Sequence, residues 1–329
     1  MNIRPIVAGA TRRSLLKFVA AGVVAVPALA VASCSTDSDG VEEDSRADAP
    51  SGTLTERNTD VVNRALDEFY GQGNTDRFDD FFASDYVEHD PAIADGRDGV
   101  IAWVDQTRAQ EPRVVGTIKR ILAQGSMVAV HSHRSTTPED EMTGTAVVEL
   151  FDLLDGKIVE HWAYTQSVPA TTRSGNSMFS DIYDYVEAPP TISVERADAN
   201  KQLILKAWAA IYSARDFTVL GRYWALGDGY LQHNPNVPNG VGGLKGFLGT
   251  LPQSVSQNRF ALGSGDLVVT VNQSVATSAD LDSDAVGSSV VDIYRVADGR
   301  VVEHWDIVAP VPTLSANSNS VFSRLYRVA

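Results

Sequence analysis

One cysteine in 329 residues excludes a disulfide within the chain. The longest apolar run, residues 18–32, falls short of the about 20 residues a membrane-spanning helix needs, which excludes a comfortable transmembrane segment there. Basic side chains are also scarce: 27 Lys and Arg stand against 42 Asp and Glu, a formal charge of −15. So acidic a chain is excluded as a direct partner of nucleic acid or anionic lipid.

Two targeting patterns stand at the start of the chain. Thr11-Arg12-Arg13-Ser14-Leu15-Leu16-Lys17 resembles a twin-arginine export motif, residues 18–32 supply a signal h-region, and Val31-Ala32-Ser33-Cys34 resembles a bacterial lipobox. The expectation is a signal peptide over 1–33 and export by the twin-arginine route. Attachment as a lipoprotein through Cys34 is expected with it, at the outer face of the bacterial cell membrane with the lipid as the only membrane contact. Loss of residues 1–33 removes four basic and no acidic side chains, taking the charge from −15 to −19. Residues 34–55, rich in Ser, Asp, Glu and Gly, read as a disordered tether.

The rest of the chain repeats itself. "YVEHDP" (86–91) returns as "YLQHNP" (230–235), and Gly96, Gly99 and Trp103 return as Gly240, Gly243 and Phe247. "DGKIVEHW" (155–162) returns as "DGRVVEHW" (298–305), and "GNSMFSDIY" (175–183) as "SNSVFSRLY" (318–326). These matches predict a domain over 56–188, a linker over 189–199 whose Pro189-Pro190 stops a helix, and a second domain over 200–329. In each copy the apolar spacing predicts an amphipathic helix, at 59–70 and 203–212, and shorter helices around the Tyr-x-x-His segment. Strands come next at 113–122, 126–134, 143–153 and 157–166, then at 258–263, 266–274, 286–296 and 300–308. Asp155-Gly156 marks a hairpin turn. Helices succeeded by a curved antiparallel sheet, twice, is an α+β fold.

Tyr-x-x-His-[Asn/Asp]-Pro, Gly-x-x-Gly with a following aromatic, and the closing Asp-Gly-[Lys/Arg]-[Ile/Val]-Val-Glu-His-Trp resemble tandem SnoaL-like domains of the nuclear transport factor 2-like superfamily. The resemblance implies two cone-shaped domains, each enclosing one apolar pocket. The activities it implies run from polyketide cyclases and ketosteroid isomerases to proteins that only bind.

A cofactor-free cyclase or isomerase needs a base beside a carbonyl and a donor for the enolate oxygen. If Asp155-Gly156 is a two-residue turn, 149 lies opposite 162, and Glu149 shares a face with Val147, Phe151, Trp162 and Tyr164. Asp292 then lies opposite Trp305. On that register Glu149 and Asp292 are the catalytic carboxylates, with Phe151, Trp162, Tyr164 and Trp305 as ligand-binding wall. His161, His304 and Asp306 fall on the other face, at the join of an internal pseudo-dimer of the two domains. His89 and His233, each before [Asn/Asp]-Pro, are candidate proton carriers, with capping of the next turn as the alternative. His131 and His133 share one strand face and are candidate ligand contacts. With Glu139 they invite comparison with a cupin metal motif, but the spacing is too long and the second copy has Val271 and Gln273 instead, so no metal and no cofactor is expected.

The function expected is binding of a small apolar carbonyl compound, with cofactor-free aldol-cyclase or isomerase activity implied by the resemblance. The alternative is a non-catalytic module that binds a hydrophobic ligand or a protein partner.

Overall fold

Two five-stranded sheets, each preceded by helices, make up the computed structural model, which describes residues 52–185 and 192–325. Arg12, Arg13, Cys34, nearly all of the 34–55 stretch and Pro189-Pro190 lie outside the described residues.

The first half opens with α1, Leu54–Arg64, whose end is fixed by a capping box between Thr53 and Glu56. Its buried Asn58 donates to the Gly125 carbonyl at 3.0 Å and ties the helix to a hairpin turn of the sheet. A π-helical turn, Ala65–Gly71, continues α1. The extra residue of such a turn rotates the helix beyond it, bringing Phe69 into the core and Tyr70 to the wall of a cleft. After α2 (Phe78–Phe81) come β1 (Phe82–Glu88) and α3 (Gly96–Gln110). The strands β2 (Val115–Gln124), β3 (Met127–Ser135), β4 (Thr145–Leu154) and β5 (Lys157–Ser167) complete this half.

The second half repeats this order. Ser193 caps α4, Val194–Trp208, which continues into a π-helical turn, Ala209–Ser213, and Asn200 donates to Gly265 as Asn58 does to Gly125. Then come α5 (Leu220–Tyr223), β6 (Leu231–Gln232), α6 (Gly240–Thr250), β7 (Val255–Ser264), β8 (Leu267–Val275), β9 (Ser288–Ala297) and β10 (Arg300–Pro310). Strand orders are β1-β5-β4-β3-β2 and β6-β10-β9-β8-β7, antiparallel except that β1 runs parallel to β5 and β6 to β10. The short strands β1 and β6 were not expected from the sequence.

The hairpin turn is where the sequence places it: Asp155 and Gly156 have φ of 51° and 75°, and Asp298 and Gly299 have φ of 49° and 70°. The register beyond it is not as expected. Leu154 pairs Lys157 and Leu153 pairs Ile158, but Asp152 pairs Glu160, leaving Val159 as a β-bulge. Glu149 therefore lies opposite Ala163, and Trp162 opposite Leu150. Val302 is the corresponding bulge, so Asp292 lies opposite Asp306. One extra residue moves every later side chain to the other face.

Beyond the bulge the faces of β5 and β10 are consequently reversed from the expectation, whereas Phe151 of β4 keeps the face it shares with Glu149. Phe151 and Ile158 pack inward with Val62, Phe69, Phe82 and Val104 under the helices of the first half. Trp162, Tyr164 and Trp305 point outward, into one cluster that takes Ala129, Val148 and Leu150 from the first sheet and Val271, Val291 and Ile293 from the second. His161, His304 and Asp306, expected at that join, lie on the inner faces instead.

Candidate functional site

The inner face of the first half holds a buried ionic cluster. Parallel pairing of β1 with β5 sets Glu88 beside His161, and His161 Nδ1 lies 2.9 Å and 3.1 Å from the two Glu88 carboxylate oxygens. Tyr86 donates its hydroxyl to Glu88 at 2.6 Å. On the other side of the imidazole, Nε2 is 3.5 Å from Glu149, an ion-pair contact without hydrogen-bond geometry. Phe151 stacks on the ring at 4.8 Å. Burial alone would lower the His161 pKa, but Glu88 and Glu149 overcome it and push it up to about 10. The ring is an imidazolium at neutral pH. Burial, reinforced by Glu88, drives the Tyr70 and Tyr86 hydroxyls well above the usual phenol range, so both stay protonated.

Glu149 links this cluster to open space. Its side chain is 16% exposed, against 0% for Glu88. It lines a cleft of about 650 Å³ between the sheet, the π-helical turn and α3, with Tyr70, Trp103, Val104, Ser132 and Arg134 also in the wall. The Tyr70 hydroxyl has no hydrogen-bond partner among the described residues.

The second half carries the same plan with other groups. His304 Nδ1 lies 2.9 Å from the Gln232 side-chain amide oxygen Oε1, and Nε2 lies 2.9 Å from Asp292. Gln232 stands where the first half has Glu88, and Asp306 where it has Ala163. One carboxylate has moved from the short strand to the long one, and each histidine keeps two acidic neighbours. Asn272 donates to Asp292 at 2.8 Å and Asn234 to Asp306 at 2.6 Å. Burial raises Asp306 to about 6, while Asp292, acting through its hydrogen bond, raises His304 against the effect of burial. Thr270 and Asn272 replace Val130 and Ser132, which makes this interior the more polar of the two. Asp292, His304 and Asp306 also bring three ligand atoms within 4.8 Å of one another, a grouping that could hold a metal.

The other expected site residues lie elsewhere. His89 does not reach Glu149: it stacks on Trp162 at 4.6 Å, its Nε2 is 3.0 Å from Glu160, and its Nδ1 is 3.0 Å from the Ser320 carbonyl. His233 repeats this, stacked on Trp305 at 4.9 Å, with Nε2 2.9 Å from Glu303 and Nδ1 2.6 Å from the Ser177 carbonyl. Both rings fasten the outer face of a sheet to a tail segment of the opposite half. Trp162 and Tyr164 are not pocket wall either, since they donate to the Ser323 and Val321 carbonyls. Trp305 donates likewise to Ser180. His131 and His133 also face outward, against Phe179 at 5.5 Å and 4.3 Å. Burial and the adjacent Arg120 hold His131 well below the ordinary histidine range, and the His133 ring donates from Nε2 to the Thr143 carbonyl, 2.7 Å away. Glu139 is exposed and joins neither. Sequence reasoning missed Glu88, Tyr70 and Gln232 and put His161, His304 and Asp306 on the wrong face. The strand-spaced Tyr86 and Glu88, and His304 and Asp306, were the signals available.

Residues 62–161 match the model of the SnoaL-like domain. Among solved structures, IdmH from Streptomyces antibioticus, named as a polyketide cyclase, is 22% identical over 33% of this chain and 91% of that one, with a TM-score of 0.29. A protein named as a SnoaL-like polyketide cyclase from Jannaschia sp. CCS1 is 20% identical over 36% of this chain and 91% of that one, with a TM-score of 0.31. One named as a ketosteroid isomerase from Kribbella flavida is 18% identical over 42% of this chain and 86% of that one, with a TM-score of 0.29. No curated protein matches the chain.

Proposed function

We propose that the first half binds a small, mostly apolar carbonyl compound in its cleft and moves a proton on it without a cofactor, with Glu149 as the base. The observation that carries this reading is that Glu149 belongs to both the cleft wall and the buried His161 cluster. Glu149 takes a proton from the carbon next to the carbonyl, and the electron pair passes to the carbonyl oxygen. The Tyr70 hydroxyl, buried behind the same wall, without a partner among the described residues and kept protonated, turns to donate to that oxygen. The enolate then either recovers the proton at another carbon or attacks a second carbonyl. His161, fixed by Glu88, holds positive charge beside the site throughout. His89 and His233, with no path to the cleft, are left out of the chemistry, and Asp292 belongs to a supporting half.

Deuterium exchange next to the carbonyl of a small cyclic ketone, monitored by NMR, tests this. The wild-type chain should accelerate exchange, and Glu149→Gln should lose about 10²–10⁴ of that rate, the usual share of a general base. Asp292→Asn should keep most of it. Full exchange in Glu149→Gln would remove the assignment. Binding without exchange in the wild type would instead favour the non-catalytic reading, which the ion pair already occupying Glu149 supports.

We also propose that the two halves form an internal counterpart of a homodimer, and that the whole is exported and held at the membrane through Cys34. Radiolabelled palmitate should enter the wild-type chain in cells and not Cys34→Ala. Equal labelling of both would refute the anchor.

A further inference from the structure

Arg134 is a cation of the cleft wall whose guanidinium has no ion-pair or hydrogen-bond partner among the described residues. It lies on β3 with its guanidinium 5.4 Å from the Trp103 ring, partly buried, and no carboxylate among the described residues comes within 4.0 Å of it. Arg64 and Arg77 pair with Glu68, Arg97 with Asp79, and Arg108 donates to the Gly71 carbonyl, while Arg113, also without a carboxylate partner among the described residues, is exposed and outside the cleft.

Its position is also specific. Arg134 and Trp103 line both the 650 Å³ cleft that holds Glu149 and an adjoining cleft of about 450 Å³ edged by Thr107, Ser135 and Thr143. Val130 pairs with Glu149, and Arg134 is four residues farther along the same strand, so about 13 Å of strand separates the backbone position of Arg134 from that of Val130 beside the base. Position 134 corresponds to Ser274 in the second half, so the second half lacks a cation at this position.

We propose that the ligand of the first half is an elongated keto acid, whose carboxylate is held by Arg134 over Trp103 while its carbonyl lies toward Glu149. This rests on the reading of the cleft as a carbonyl site and adds the acidic end. The planar fork of the guanidinium matches a carboxylate with two parallel hydrogen bonds, and Trp103 fixes the plane of the fork. Backbone positions that far apart on one strand call for several carbons between the acid and the carbonyl, as in a medium-chain keto acid.

Titration calorimetry with 9-oxodecanoate, its methyl ester and decyl phosphate tests the inference. The wild-type chain should bind the acid at least about tenfold more tightly than the ester, as a charge-assisted contact requires. Arg134→Gln should abolish that preference and leave the ester affinity in place, and Arg134→Lys should restore part of it. Glu149→Gln should keep the preference, since the contact is remote from the base. Equal binding of acid and ester by the wild type would overturn the keto-acid assignment alone, as would tighter binding of decyl phosphate. Binding of none of the three would overturn the carbonyl site and this inference together.

Discussion

At the scale of the residue, the decisive group is a histidine between two carboxylates. His161 is buried with Glu88 and Glu149 on either side, and its positive charge offsets theirs. A histidine whose folded pKa is raised stabilises the fold fully below its ordinary value of 6.5 and loses that contribution as pH climbs through about 10. Removing the cation leaves the buried Glu88 without its charge partner and facing Glu149, which costs about 3–5 kcal/mol. His161→Gln should therefore unfold at lower urea than the wild type at pH 7. The gap should narrow as the wild type is taken toward pH 10 and its own imidazolium discharges. A gap that stays constant from neutral pH to well past the folded pKa would show that His161 is neutral in the native protein.

At the scale of the element, the same histidine shows how much the sequence makes legible. The repeated Asp-Gly turns, the amphipathic opening helices and the run of β-branched strands were readable because each depends on local chemistry: positive φ, a period near 3.6, a period of 2. All eight long strands fall within about three residues of their expected places. Inward and outward assignment depends on register, and register was set by Val159 and Val302, two ordinary valines in "KIVEHW" and "RVVEHW". Nothing in their identity marks a bulge, since the extra residue is defined only against the partner strand. Glu149 and Asp292 were correctly placed on an inner face, but with the wrong neighbours. The short β1 was not legible either, because its pairing with β5 is a tertiary contact, and it is β1 that delivers Glu88 to His161. The repeated Glu-His-Trp now has a reason for each letter. Glu160 and Trp162 fasten the outer face to His89 and to a tail of the other half, and His161 turns inward to the site.

At the scale of the whole molecule, the two halves exchange their closing segments. The tail after β5 lies on the second half, where Asp181 pairs with Arg295 at 2.7 Å and Ile182 donates from its backbone to Glu303. The tail after β10 lies on the first half, where Arg324 pairs with Glu160 at 3.0 Å. The repeat places Asp152 at the position of Arg295. Two first halves brought together would therefore set Asp181 against Asp152 and Glu160, and two second halves would set Arg324 against Arg295, which Glu303 already pairs. Like charges reject each self-pairing, and opposite charges favour the mixed one. Either half alone also exposes its share of the cluster around Trp162, Trp305, Val148 and Val291, an apolar face too large to leave in water. Residues 52–185 and 192–325 produced separately should each aggregate or lose tertiary structure, while co-expression should give a one-to-one complex by native mass spectrometry. Asp181→Arg should weaken that complex by bringing two arginines together, and Asp181→Asn, which only removes the pair, should weaken it less. A first half that is monomeric on its own, with amide protection in β5 equal to that of the intact chain, would mean that the exchanged tails decorate two independent domains rather than complete them.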